Sequence, residues 1–157
     1  MLQALRNLRH DSTGTGALEL ALAMPILMLL LVGMVDASRL VAARLDAEQA
    51  AQRATDFALA KRPTTSNATY IKNEAVRASG LEAKDITAEI YLECNGTRQS
   101  DFRTVCPAGE HRARFVNVEI NRTVEFIFDW SAMAALFGSN VMGESIVVSG
   151  DSLVRFQ

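Results

Sequence analysis

The chain is short of the residues that most catalytic and metal sites are built from. Its 157 residues include only two histidines, two cysteines, one tryptophan and three prolines, and aromatics make up 6%. Two histidines and two cysteines are a poor stock for a metal centre. No sign of charge dominates either. Sixteen basic residues face eighteen acidic ones, which excludes the strongly basic surface of a dedicated nucleic-acid binder. The length is too small for an α/β barrel or a multi-domain enzyme, and 49% hydrophobic content is too high for a disordered chain. No cofactor is implied.

What the chain does have is one long apolar run. Leu20 to Val35 is sixteen residues without a charged or strongly polar side chain, and extension back to Gly16 gives twenty, interrupted only by Glu19. At about 1.5 Å per helical residue, twenty residues span roughly 30 Å, the thickness of a bilayer hydrocarbon core. Arg6 and Arg9 precede the run, so the positive-inside rule puts the N-terminus in the cytoplasm and the chain beyond Asp36 on the far side. A cleavable signal peptide is the competing reading, with a small-residue site at Val35-Asp36-Ala37 before Ser38. Against it, the run is longer than the usual 7–15 residues, and Glu19 stands at its start. The helical pattern also continues. No Gly or Pro occurs from Asp36 to Lys61, and Ala43, Ala47, Ala51, Ala54 and Ala58 form a stripe of small side chains on one face.

Glu19 lies five residues after Gly14, at the edge of the apolar run, where a lone carboxylate needs a partner or an interface. Glycine, then glutamate at the fifth position, then a long apolar stretch resembles the processing site of type IV prepilins. Ala17 through Pro25, the aliphatic run, and Gly33-Met34-Val35-Asp36 with Arg39 resemble the opening of TadE-like pseudopilins of the tight-adherence (Tad, or Flp) pilus systems. Leu20 stands where that family usually has Phe, and Asp36 where it usually has Glu; Pro25 has the expected spacing from Glu19. The resemblance covers about residues 9–40.

The resemblance implies a role for each of these residues. A prepilin peptidase at the inner membrane would cut between Gly14 and Thr15, the missing Cβ of glycine easing entry of the backbone into its site. Glu19 would then meet the N-terminal amine of a neighbouring subunit, with Leu20 beside it and Pro25 able to kink the helix. The partners implied are the peptidase, other pilins or pseudopilins, and the inner-membrane Tad assembly platform. The alanine stripe would let neighbouring helices approach closely. On this reading residues 1–14 are a basic leader and 15–61 a transmembrane and stalk helix, with its membrane part at about 17–35. Residues 62–157 are an exported α+β head, and the whole is a minor pilin supporting pilus biogenesis and adherence. An unprocessed single-pass protein with a partner-binding head, or a secreted form cut near Ala37, remain the alternatives.

Downstream, Arg62-Pro63 ends the long helix, and a short helix is expected over about Ser66–Ser79 with Gly80 as its cap. Alternation with period two then predicts a strand from Ile86 to Cys94 and another from Val116 to Phe128. A short helical piece, Trp130–Phe137, precedes a last strand around Ser145–Phe156, giving a roughly three-stranded antiparallel sheet. Cys94 and Cys106 flank a loop and, if exported, would form a disulfide; two unpaired thiols are the other reading. Gly150-Asp151-Ser152-Leu153 spells the nucleophile block of GDSL esterases, but no histidine follows it and His111 would be the sole exported base. Strand residues with a hydroxyl are the plainer reading, and no enzyme is expected. Gly14-x-Gly16 has no strand before it and is no dinucleotide loop.

Overall fold

A computed structural model describes residues 15–136, 138 and 143–157. The leader, including Gly14, lies outside them, as do the end of the expected short helix at Phe137 and residues 139–142. The first element is a single helix, α1, Thr15–Lys61, which contains Pro25. Its bounds are those the sequence predicts. It stops where Arg62 takes a left-handed φ of 49° ahead of Pro63, with the Arg62 N–H closing back on the Ala58 carbonyl at 3.0 Å. The described chain forms two compact units, one running to Ser38 and the other Arg39–Gln157.

In the second unit α2, Thr69–Ser79, begins where the Asn67 side chain accepts from the Thr69 N–H at 3.0 Å. It ends at Gly80, whose left-handed conformation lets its N–H reach the Val76 carbonyl. A 3-10 turn, Ala83–Asp85, leads into β1, Ile86–Cys94. Two-residue β2, Thr97–Arg98, follows, then β3, Arg112–Glu125. A short α3, Trp130–Leu136, and β4, Ser145–Arg155, complete the chain. The sheet is antiparallel with order β2-β1-β3-β4. It therefore has four strands where the alternation suggested three. The extra strand is made by a tight hairpin: Asn95 and Gly96 both take positive φ, 48° and 82°, as a two-residue turn matched to strand twist requires.

Strand β3 also lies further upstream than expected, starting at Arg112 and leaving the sheet after Glu125, so Phe126 and Phe128 are not in it. Phe128 instead packs edge-on against Trp130, with ring centroids 4.9 Å apart, at the start of α3. There Asp129 caps the helix. Its carboxylate accepts from the Ala132 N–H and the Ser131 hydroxyl, and the hydroxyl contact, then the backbone one, holds it below the ordinary aspartate range.

One face of the sheet is buried under the two helices. Ile86, Ile90 and Leu92 of β1 and Val116, Val118 and Ile120 of β3 meet Ile71 and Ala75 of α2 and Ala47, Ala50, Ala51, Ala54 and Ala58 of α1. The alanine stripe therefore closes onto this chain's own core. Its exposure falls from 7% at Ala43 to zero at Ala51, Ala54 and Ala58. This corrects the expectation that the stripe serves neighbouring helices: small side chains here bring the α1 backbone close to a sheet. The opposite sheet face is more exposed and largely polar, with Tyr91 and Phe115 stacking their rings across strands at 5.5 Å and Val147 and Leu153 of β4 exposed beside them.

Candidate functional site

The apolar segment is the feature with the clearest chemistry. In the first unit Leu18, Leu20, Leu22, Ile26, Leu30 and Met34 are each more than half exposed, and the most apolar window of α1 has none of its residues buried. Apolar side chains face outward all round the helix. A helix of that kind is stable only in an apolar surrounding, and this one is long enough to cross a membrane.

The residues singled out along the apolar segment have definite places on this helix, Gly14 lying outside the described residues. Thr15 is the first helical residue and Glu19 stands one turn later on the same face, exposed, followed by exposed Leu20. Pro25 sits inside the helix, so the Ala21 carbonyl has no N–H to receive from position 25. In a bilayer that carbonyl must find another donor. Asp36, which closes the run, is only 4% exposed.

The second unit explains the motif that looked like an esterase block. Alternate β4 residues face α1, and at Gly150 the helix backbone comes close. A Cβ there would lie 2.3 Å from the Glu48 nitrogen and 2.5 Å from the Ala47 carbonyl carbon. Ser152, two residues on, faces the same helix and lies 2.9 Å from the Thr55 hydroxyl. Thr55 is buried and donates its own proton to the Gln52 carbonyl at 2.9 Å, so Ser152 donates to Thr55. The serine is thus engaged in joining strand to helix. His111 precedes β3, whereas Ser152 lies opposite Val118. Seven residues of strand separate the two levels, roughly 20 Å. No base reaches this serine from there. Thr55 beside Ser152, and Ala47 and Glu48 beside Gly150, are the neighbours that sequence reading missed, since only strand register brings residues almost a hundred apart to one seam.

Cys94 and Cys106 form a disulfide with Cα atoms 5.5 Å apart. Within the loop it closes, Phe102 is buried at 4% exposure beneath the Arg114 guanidinium, 4.4 Å from the ring centroid. Among the described residues no group of three His, Cys, Asp or Glu side chains could hold a metal ion. The cleft beside α1 lined by Asp46, Arg53, Ser79 and Arg122 is spanned by an Arg122–Asp46 ion pair at 3.3 Å. It is a solvated ion-pair groove.

Comparison with known proteins agrees with the apolar segment as the feature that carries identity. Residues 14–56 match the family model described as TadE-like protein. No curated protein and no solved structure matches the chain.

Proposed function

We propose that this chain, TadE-like over residues 14–56, is a minor pilin or pseudopilin of a Tad-type pilus. In this reading it enters the inner membrane with its N-terminus cytoplasmic, is trimmed between Gly14 and Thr15 by a prepilin peptidase, and presents its disulfide-bonded α+β unit on the far side. It then assembles with other pilins through α1, supported by the inner-membrane Tad platform, and contributes to pilus biogenesis and adherence. It carries out no catalysis.

The observation that carries the reading is a coincidence of place. The family match begins at Gly14, immediately before the first helical residue and five residues before the only carboxylate in the apolar segment. After trimming, the Thr15 amine and the Glu19 carboxylate would lie on one helix face, one turn apart. A subunit can then offer its carboxylate to a neighbour's amine and its amine to the next neighbour. Within an apolar assembly, removing one partner of such a pair leaves an uncompensated charge, far costlier than losing a surface ion pair.

The experiment is Glu19→Ala in the full chain, produced in cells that assemble the pilus. Membrane insertion should be unchanged, because one charge fewer makes the segment more apolar. Incorporation into sheared fibres should fall by about tenfold or more. Wild-type incorporation would remove the pairing role and with it the assembly mechanism.

A further inference from the structure

The second unit begins at Arg39, and the apolar run ends at Val35, four residues earlier in the same helix. Four helical residues rise about 6 Å. The Arg39 guanidinium donates to the Glu125 carbonyl at 3.1 Å, at the end of β3. Chain connectivity and one arginine side chain therefore keep that end of the strand within roughly 15 Å of the last residue of the run. Residues 126–133 follow at once. They include Phe126, Ile127, Phe128, Trp130 and Met133, with a single charged residue, Asp129.

These side chains are not spent on the core of the second unit. The partly buried residues that close it include Tyr70, Leu81 and Phe156, and none from 126–133. Ile127 is 64% exposed, and Phe126, Phe128, Trp130 and Met133 are each partly exposed. Phe128 and Trp130 brace one another edge-on. The chain's one tryptophan thus stands in an apolar group outside the core, at the end of the unit where the chain arrives from the apolar run. An indole, with an apolar body and a polar N–H, is favoured where hydrocarbon gives way to water.

We propose that residues 126–133 lie in the headgroup region of the bilayer that holds α1, with Ile127 and Trp130 in contact with lipid. The second unit then rests on the membrane through this segment as well as being tethered to it by α1. The inference rests on the membrane-anchored reading of α1, and neither trimming nor pairing through Glu19 enters it. Glu125, Asp129 and Glu144 line the cleft beside the segment and keep it from sinking into hydrocarbon. A neighbouring subunit is the other occupant to consider. Lipid is favoured because each chain's own connectivity brings its segment to the bilayer, with no second copy required.

The single tryptophan makes the test direct. The full chain, disulfide intact, is reconstituted into phosphatidylcholine vesicles whose acyl chains carry bromine either near the headgroup or near the chain ends. Bromine near the headgroup should quench Trp130 fluorescence about twofold or more, and bromine near the chain ends distinctly less. Ile127→Asp should lose at least about half of that quenching. Val105→Asp is the control: Val105 is 87% exposed but precedes the opposite end of β3, and its variant should be quenched as the wild type is. Flotation of the vesicles reports the anchor separately. A chain that floats with the vesicles while its Trp130 ignores both bromines and is quenched by aqueous iodide leaves the anchor standing and overturns the lipid contact. Equal quenching in wild type and Ile127→Asp, or stronger quenching from the chain ends, overturns the interfacial placement. A chain that does not float overturns the anchor and this contact with it.

Discussion

Gly150→Ala should destabilise the second unit by about 3 kcal/mol, one of the larger effects available to a single methyl group. The new Cβ would stand 2.3 Å from the Glu48 nitrogen and 2.5 Å from the Ala47 carbonyl carbon. Both are backbone atoms in the middle of a hydrogen-bonded helix, so neither can turn aside as a side-chain tip could. Either α1 lifts or β4 bends, and each movement opens the seam that Ala47, Ala51 and Ala54 close. The Thr55–Ser152 hydrogen bond, one strand repeat away, would lengthen with it. Thermal unfolding of the full chain in micelles should show a melting temperature lower by roughly 10 °C. Gly16→Ala is the control, since a Cβ there meets nothing within 4 Å. A Gly150→Ala chain melting within about 2 °C of wild type would show that helix and strand do not approach as closely as described.

The second large effect is loss of the Cys94–Cys106 bond. Closing a loop with a sequence separation of 12 removes enough freedom from the unfolded chain to contribute about 3 kcal/mol in the chain-entropy account. The loop also carries Phe102, buried beneath Arg114, so releasing it loosens a side chain of the core as well as a surface turn. A double Cys→Ala variant should melt roughly 10 °C lower than the oxidised protein. Mild reduction of the wild type should reproduce the shift. Coincident melting curves for oxidised, reduced and double-variant protein would show that the loop holds its place without the bond.

How much of this could be read from the sequence depends on how local each signal is. The bounds of α1 were legible because three local features agree: an apolar run, alanines at helical spacing, and Arg62-Pro63 at the end. Strand β1 was legible because Ile86, Ala88, Ile90 and Leu92 alternate without interruption. The start of β3 was not, since Arg112 and Arg114 occupy alternate positions where apolar residues signal a strand, and arginine stems can cover apolar surface. Phe126 and Phe128 prolonged the alternation past the point where the backbone leaves the sheet. Strand β2 did have a signal, Asn95-Gly96, obscured by reading everything between the cysteines as loop. The alanine stripe was correctly located and wrongly assigned, because spacing tells which face is small but not what covers it. The Gly150–Ala47 approach and the Ser152–Thr55 bond depend on register and crossing. No window of sequence contains them.

The same distinction separates the two halves of the functional account. The apolar segment bears its chemistry in consecutive residues, and there sequence, structure and family match coincide over α1. The packing of the second unit rests on residues that only folding collects.

The proposed function requires that this chain be handled as a prepilin. It is tested most directly by the N-terminal residue of the protein recovered from cells that assemble the pilus, read by terminal sequencing or intact mass. Thr15 is the expected first residue, with the fourteen-residue leader gone. A chain that still begins at Met1, as a fixed anchor would, or that begins at Ser38, as a secreted protein would, contradicts it.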